Sequence, residues 1–227
     1  MNNKLISRST ALLYMIVAII APFSMIYVPT SLVVPGDAAA TASRIAASQG
    51  LFRASIASDA AIFLIEIVLT ALLYVLLRPV NRTLALASAF ARLAMTIVQG
   101  LNLLNHLTVL IMLSGAGFLT VFTAPQLSAL AMVFLQAHSY AAQIWGLFFG
   151  LHLLAAGTLV YRSGYIPKAL GIVLWIVGLC YLAQGFGNIL LPQFAAQLAA
   201  LGMVMMIELA FPLWLLIKGV PDQKLSA

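Results

Sequence analysis

The chain has 227 residues, of which 64% are apolar and only 7% charged, and its formal net charge is +6. Soluble domains run at roughly half apolar and a quarter charged, so an ordinary soluble globule is excluded and lipid is the solvent that suits this composition. The basic excess does not point to nucleic acid, because Lys and Arg punctuate the apolar runs and form no patch interleaved with aromatics.

Apolar runs at residues 10–28, 51–77, 83–113, 126–160, 169–191 and 195–218 predict six transmembrane helices. The expected fold is an all-α polytopic membrane bundle, a single integral membrane domain over 1–227. The first run follows Lys4 and Arg8 but is long for the apolar stretch of a signal peptide. No small-residue cleavage site follows it, so a retained span is expected. Pro22 should interrupt that span. In the long connection that follows, Asp37 reads as the N-cap and Gly50 as the stop of a short alanine-rich helix lying at the outer interface. Thr123 and Gln126 have capping-box spacing, so the fourth helix should start there and run to Tyr161. At 1.5 Å per residue it would be about 55 Å long against a ~30 Å hydrocarbon core. The third and fourth helices should therefore project from the outer face or break. Pro212 should kink the sixth helix and leave the carbonyl of Glu208 without its donor.

Lys4, Arg8, Arg78, Arg82, Arg162, Lys168, Lys218 and Lys224 mark one side of the predicted bundle, while Arg44 and Arg53 belong to the other. The positive-inside rule then makes both termini cytoplasmic and the location the inner (plasma) membrane. A single cysteine, Cys180, permits neither an intrachain disulfide nor a cysteine metal cluster.

Several strings carry a resemblance. Leu32-Val33-Val34-Pro35-Gly36-Asp37-Ala38-Ala39-Ala40-Thr41, Leu51-Phe52-Arg53, Leu76-Leu77-Arg78-Pro79-Val80-Asn81, Phe148-Phe149-Gly150-Leu151-His152-Leu153, Tyr161-Arg162-Ser163-Gly164-Tyr165-Ile166-Pro167 and Leu213-Trp214-Leu215-Leu216-Ile217-Lys218-Gly219-Val220 resemble the bacterial membrane family called domain of unknown function 4386. The resemblance implies a bacterial multi-pass membrane protein and carries no reaction, ligand or catalytic residue.

Ionisable side chains inside spans are costly unless they pair or reach water, which makes them the candidates for function. Counting from the nearest basic anchor, Glu66 lies ~18 Å deep, and Arg92, His152 and Glu208 ~15 Å each. Four ionisable groups on four helices thus share one level, and Arg92 is expected to balance Glu66, Glu208 or both. The same count puts Asp59 at ~28 Å, Asn188 at ~30 Å, and His106 and His138 at ~36 Å, a secondary layer nearer the outside. Spacings of seven connect Asp59 to Glu66, Arg92 to Gln99 and His106, and His138 to Trp145 and His152. Seven residues return a helix to nearly the same face, so these stripes should point into one interior.

Three readings stay open at this point. The first is a small transporter or a ligand-binding or sensing membrane protein, with Glu66, Arg92, His152 and Glu208 binding a small ligand, an ion or a proton. The second is a non-catalytic membrane component that contacts lipid or protein, its polar groups only fixing helix register. The third is a redox protein or enzyme in which His106 and His138 hold haem, or a metal together with Asp59. Two histidines are a thin ligand set, no hydrolase or metalloprotease signature is present, and the expectation is of no metal and no cofactor. The lipid bilayer is the expected partner, and oligomeric state is not legible.

Overall fold

The computed structural model describes residues 3–221; Asp222 and the basic anchor Lys224 lie outside them. Among the described residues there are helices and turns but no strand. Five helices are long and apolar enough to cross a membrane, and a bent pair makes a sixth span if counted as one.

α1 (Asn3–Pro22) passes through a π-helical turn, Phe23–Tyr27, into α2 (Val28–Leu32). Pro22 cannot give an N–H to the carbonyl four residues back and its ring crowds that carbonyl. The wider turn that follows lets the Val28 N–H reach the Phe23 carbonyl. The interruption expected at Pro22 also re-aims a side chain, because the π turn carries Ser24, whose hydroxyl donates to Asp59.

A turn with Gly36 at φ 79° leads into α3 (Ala38–Ala47). Asp37 caps it, Oδ1 accepting from the Ala40 N–H at 2.8 Å. Thr41 clamps the same turn: its Oγ1 accepts from the Val34 N–H at 2.9 Å and donates to the Asp37 carbonyl at 2.8 Å. The expected stop at Gly50 is displaced. α3 ends at Ala47 because the Ser48 N–H reaches the Arg44 and Ile45 carbonyls, closing the helix without a left-handed glycine. Gly50 falls in the first turn of α4 (Gln49–Leu77).

α5 (Arg82–Met112) is capped by Asn81, whose Oδ1 accepts from the Leu84 N–H at 2.8 Å. α6 (Ala124–Arg162) begins at the expected box, where Gln126 Oε1 accepts from the Thr123 N–H at 2.8 Å. The hydroxyl of Thr123 turns to the same Oε1, at 3.1 Å. α6 runs 39 residues without a break, about 58 Å, against a ~30 Å hydrocarbon core. Of the two outcomes expected for such long helices, breakage does not occur.

α7 (Lys168–Leu190) is continuous, but the sixth predicted helix is not. After a 3-10 turn, Pro192–Phe194, it is divided into α8 (Ala195–Ala199), α9 (Leu201–Met205), a second 3-10 turn Met206–Leu209, and α10 (Ala210–Ile217). Pro192–Ala199 and Leu201–Ile217 meet at 43°. Gly202 near the bend weakens the helix and Pro212 removes a donor, so the run tightens into 3-10 geometry. That tightening overturns one expectation: the Glu208 carbonyl is not left free, because the Ala210 N–H reaches both it and the Ile207 carbonyl.

The described chain forms two compact units. The first holds residues 3–17, 65–97 and 143–221, around a core of Leu69, Leu76, Leu153, Leu159, Leu174 and Leu215. In it α6 and α7 approach backbone to backbone. A Cβ on Gly157 would stand 2.8 Å from the Gly171 carbonyl oxygen, and one on Gly150 2.8 Å from that of Gly178. The packing register is the seven-residue spacing of Gly150 and Gly157 against Gly178 and Gly171. The turn between these helices is fixed by Gly164 at φ 70° and by Ser163 Oγ, which accepts from the Ile166 N–H at 3.1 Å. There Tyr165 donates its hydroxyl to the Leu76 carbonyl at 2.8 Å, and burial pushes its pKa up to about 12. The second unit holds Ala18–Leu64 and Val98–Ala142, with Val28, Leu32, Ile45, Phe52, Val109 and Leu110 at its centre.

Candidate functional site

The first unit contains a buried polar cluster made from three helices. Glu66 of α4, Arg92 of α5 and His152 of α6 are 5%, 1% and 3% exposed, which decides that none of them reaches solvent. Arg92 grips Glu66 side-on: Nε donates to Oε2 at 2.8 Å and Nη2 to Oε1 at 3.0 Å. This two-pronged pairing is the strongest geometry available to a guanidinium and a carboxylate. The Arg92 Nη1 lies 3.1 Å from His152 Nε2. A guanidinium can only donate, so Nε2 accepts, and the imidazole is neutral with its proton on Nδ1. That proton has a partner, the Ser88 carbonyl at 3.0 Å, and Ser88 Oγ lies 2.9 Å from the same nitrogen.

Aromatic faces complete the shell. The Arg92 guanidinium carbon lies 4.9 Å from the Tyr14 ring centre and 5.5 Å from that of Phe149, so the cation is held by π faces as well as by oxygen. Phe149 in turn stacks on His152, with centroids 5.9 Å apart and planes 13° apart. Trp145 and Tyr181 pack on Phe149 from further along α6 and from α7.

Glu208 does not join this bonding. It sits in the 3-10 turn Met206–Leu209, and its Oε2 is buried with no hydrogen-bond partner. It still feels the charges of Arg92 and Glu66. Of the two carboxylates expected to share Arg92, the guanidinium is therefore bonded to Glu66 alone. A crevice runs to the cluster, with Thr70, Tyr74 and Leu77 among its walls and Ser88, Arg92 and His152 also lining it. It is too narrow to hold a water molecule.

The family model described as a domain of unknown function, DUF4386, matches residues 9–219. The chain belongs to the DUF4386 family. An uncharacterised protein of Archaeoglobus fulgidus is similar to it, 27% identical over 161 residues that cover 70% of this chain and 79% of the relative. No solved structure matches the chain. All eight candidate residues of this DUF4386 chain lie inside the matched segment.

Of the secondary layer, Asp59, His106 and His138 fall together in the second unit, whereas Asn188 belongs to the first. There Asn188 donates through Nδ2 to Gln143 Oε1 of α6 at 2.9 Å, and its own Oδ1 is buried without a partner. In the second unit His106 and His138 stack face to face, centroids 3.7 Å and planes 17° apart, with Phe52 5.1 Å from His106. Rings in direct contact leave no room for a porphyrin between them, so the pair does not fit bis-histidine haem ligation. Among the described residues no group of three or more His, Cys, Asp or Glu is arranged to hold a metal ion. Asn102 braces the stack, donating to the His138 carbonyl at 3.0 Å and to Gln99 Oε1 at 3.1 Å.

The sequence reading did not single out Ser88, Phe149 or Tyr14 around Arg92, or Ser24 at Asp59. Two of these carry a helical signal: Ser88 is four residues before Arg92 and Phe149 three before His152, each on the same face as its neighbour. Tyr14 and Ser24 reach their partners from another helix, and no local spacing marks them.

Proposed function

We propose that this DUF4386 protein is a small proton-linked transporter or sensor whose working site is the Glu66, Arg92, His152 and Glu208 cluster. One observation carries the reading: the Arg92 guanidinium engages both oxygens of Glu66, while Glu208, within electrostatic range of that pair, has a buried Oε2 with no hydrogen-bond partner. Surplus charge of this kind inside an apolar bundle is costly, and in membrane proteins such groups line the paths of ions, protons and small polar solutes. Access to the site in this account runs along the crevice past Tyr74 and Leu77, which must widen for any solute to enter. The basic residues at the ends of α1, α4, α5, α6, α7 and α10 support a plasma-membrane orientation with both termini cytoplasmic.

A second reading is favoured by the closure of Glu66, Arg92, His152 and Ser88 on one another. In it the cluster only sets helix register, and the protein is a structural or lipid- or protein-contacting membrane component. Proton flux separates the two. In proteoliposomes with a trapped pH dye, flux driven by a panel of amino acids, carboxylates, amines and sugars is expected to exceed that of empty vesicles for at least one solute class. Glu208→Gln is expected to remove that excess. Flux equal to empty vesicles for every class would support the second reading.

A further inference from the structure

We infer that Glu208 is a proton-binding site, and that the proton is the ligand the cluster takes in its closed form. This deepens the proposed function and rests on reading the cluster as a working site.

Arg92 supplies the cluster's one cation, and its Nε and Nη2 are spent on the two oxygens of Glu66. His152 contributes no charge, because its Nε2 accepts from Arg92 and its Nδ1 proton goes to Ser88. Glu66 and Arg92 therefore cancel, and an ionised Glu208 would leave one uncompensated negative charge among apolar and aromatic side chains. Tyr14 of α1, Glu66 of α4, Arg92 of α5 and Tyr181 of α7 are the titratable and charged groups that feel Glu208, while α6 brings only the neutral His152 to the cluster through Arg92. Among these, Arg92 is already paired, and Glu66 is of like sign.

A metal cation is a poor occupant of this position. It would need several oxygen ligands around it, whereas Glu208 Oε2 is buried without a hydrogen-bond partner, and among the described residues no group of three or more His, Cys, Asp or Glu is placed to hold a metal ion. A proton needs no cavity and neutralises the carboxylate where it stands. The position in the chain suits exchange. Glu208 lies in a 3-10 turn four residues before Pro212, a segment whose hydrogen bonds have poorer geometry than those of a regular helix. A small change there turns the carboxyl without displacing the Glu66 and Arg92 pair.

Infrared spectroscopy of the full chain in lipid, at neutral pH in ordinary and heavy water, tests this. The expected spectrum has a carboxylic acid carbonyl band that shifts on deuteration and converts to a carboxylate band as the pH is raised. Glu208→Gln should remove that band, and Asp59→Asn, in the other unit, should leave it. A wild-type spectrum with no carboxylic acid band at neutral pH overturns the inference without any variant, and so does a band that persists unchanged in folded Glu208→Gln. Since solute-driven flux is read separately, a band assigned to Glu208 without flux would keep the proton site while refuting the transport reading. Flux with no such band would do the reverse.

Discussion

Arg92→Met is expected to be among the most damaging single substitutions in the chain, lowering stability by about 3–5 kcal/mol as thermal unfolding in detergent would read it. The guanidinium is 1% exposed and bonded to Glu66 and His152. Removing it strands the Glu66 carboxylate in the core, leaves His152 Nε2 without a donor, and takes the cation from the faces of Tyr14 and Phe149. Most of the loss comes from the abandoned charge, since polar contacts between membrane helices contribute only about 0.6 kcal/mol on average. The double variant Glu66→Gln with Arg92→Met should therefore recover much of what Arg92→Met loses. A coupling energy well above 1 kcal/mol in that cycle marks a dry, directly bonded pair. Arg92→Lys should not rescue, because a single ammonium cannot reach both Glu66 oxygens and His152 in the fixed fork that the guanidinium presents.

Gly157→Leu and Gly171→Leu are the second pair of severe variants. A single added carbon at Gly171 would stand 2.7 Å from the Gly157 carbonyl oxygen and 2.8 Å from the Tyr161 backbone nitrogen, so the obstacle is backbone that cannot swing aside. Alanine at either position should cost on the order of 1–3 kcal/mol, and leucine should force α6 and α7 apart. Gly146→Ala is the internal control. Its new carbon would meet only Tyr181 Cδ1 at 3.5 Å, an ordinary contact, and its unfolding midpoint should stay near that of the parent. Folded yield by size-exclusion chromatography after detergent extraction, with melting curves of the surviving protein, checks all of these.

Which parts of this molecule were legible in its sequence follows from the range of the forces involved. Helix existence is local: an apolar run of twenty or more residues has one stable form in lipid, and the first five predicted spans match observed helices, though the first is longer by several residues at each end and the bounds of the others differ by at most two. The sixth run reads as one helix kinked at Pro212, whereas the 43° bend falls earlier, between Ala199 and Leu201, because apolarity does not report where a helix bends. Depth counting works while the rise per residue is constant, and Glu66, Arg92 and His152, on unbroken helices, do meet. Glu208 comes within electrostatic range of Arg92 and Glu66, but depth does not report bonding, and its Oε2 has no hydrogen-bond partner. Asn188 was placed by depth with Asp59 and the two histidines, but depth says nothing of azimuth, and its partner is Gln143. The glycine register was missed for a related reason: a seven-residue spacing on one helix acquires meaning only when set against the matching spacing on its neighbour.

Labelling with dicyclohexylcarbodiimide at neutral pH, mapped by peptide mass spectrometry, asks directly which carboxyl is free of Arg92. The reagent requires a protonated acid: the O–H proton passes to a carbodiimide nitrogen, the oxygen attacks the central carbon, and acyl migration leaves a stable N-acylurea. The expected result is an adduct on Glu208 and an unmodified Glu66, with Glu66 becoming reactive in Arg92→Met. An adduct on Glu66 in the parent protein, with Glu208 untouched, would contradict it.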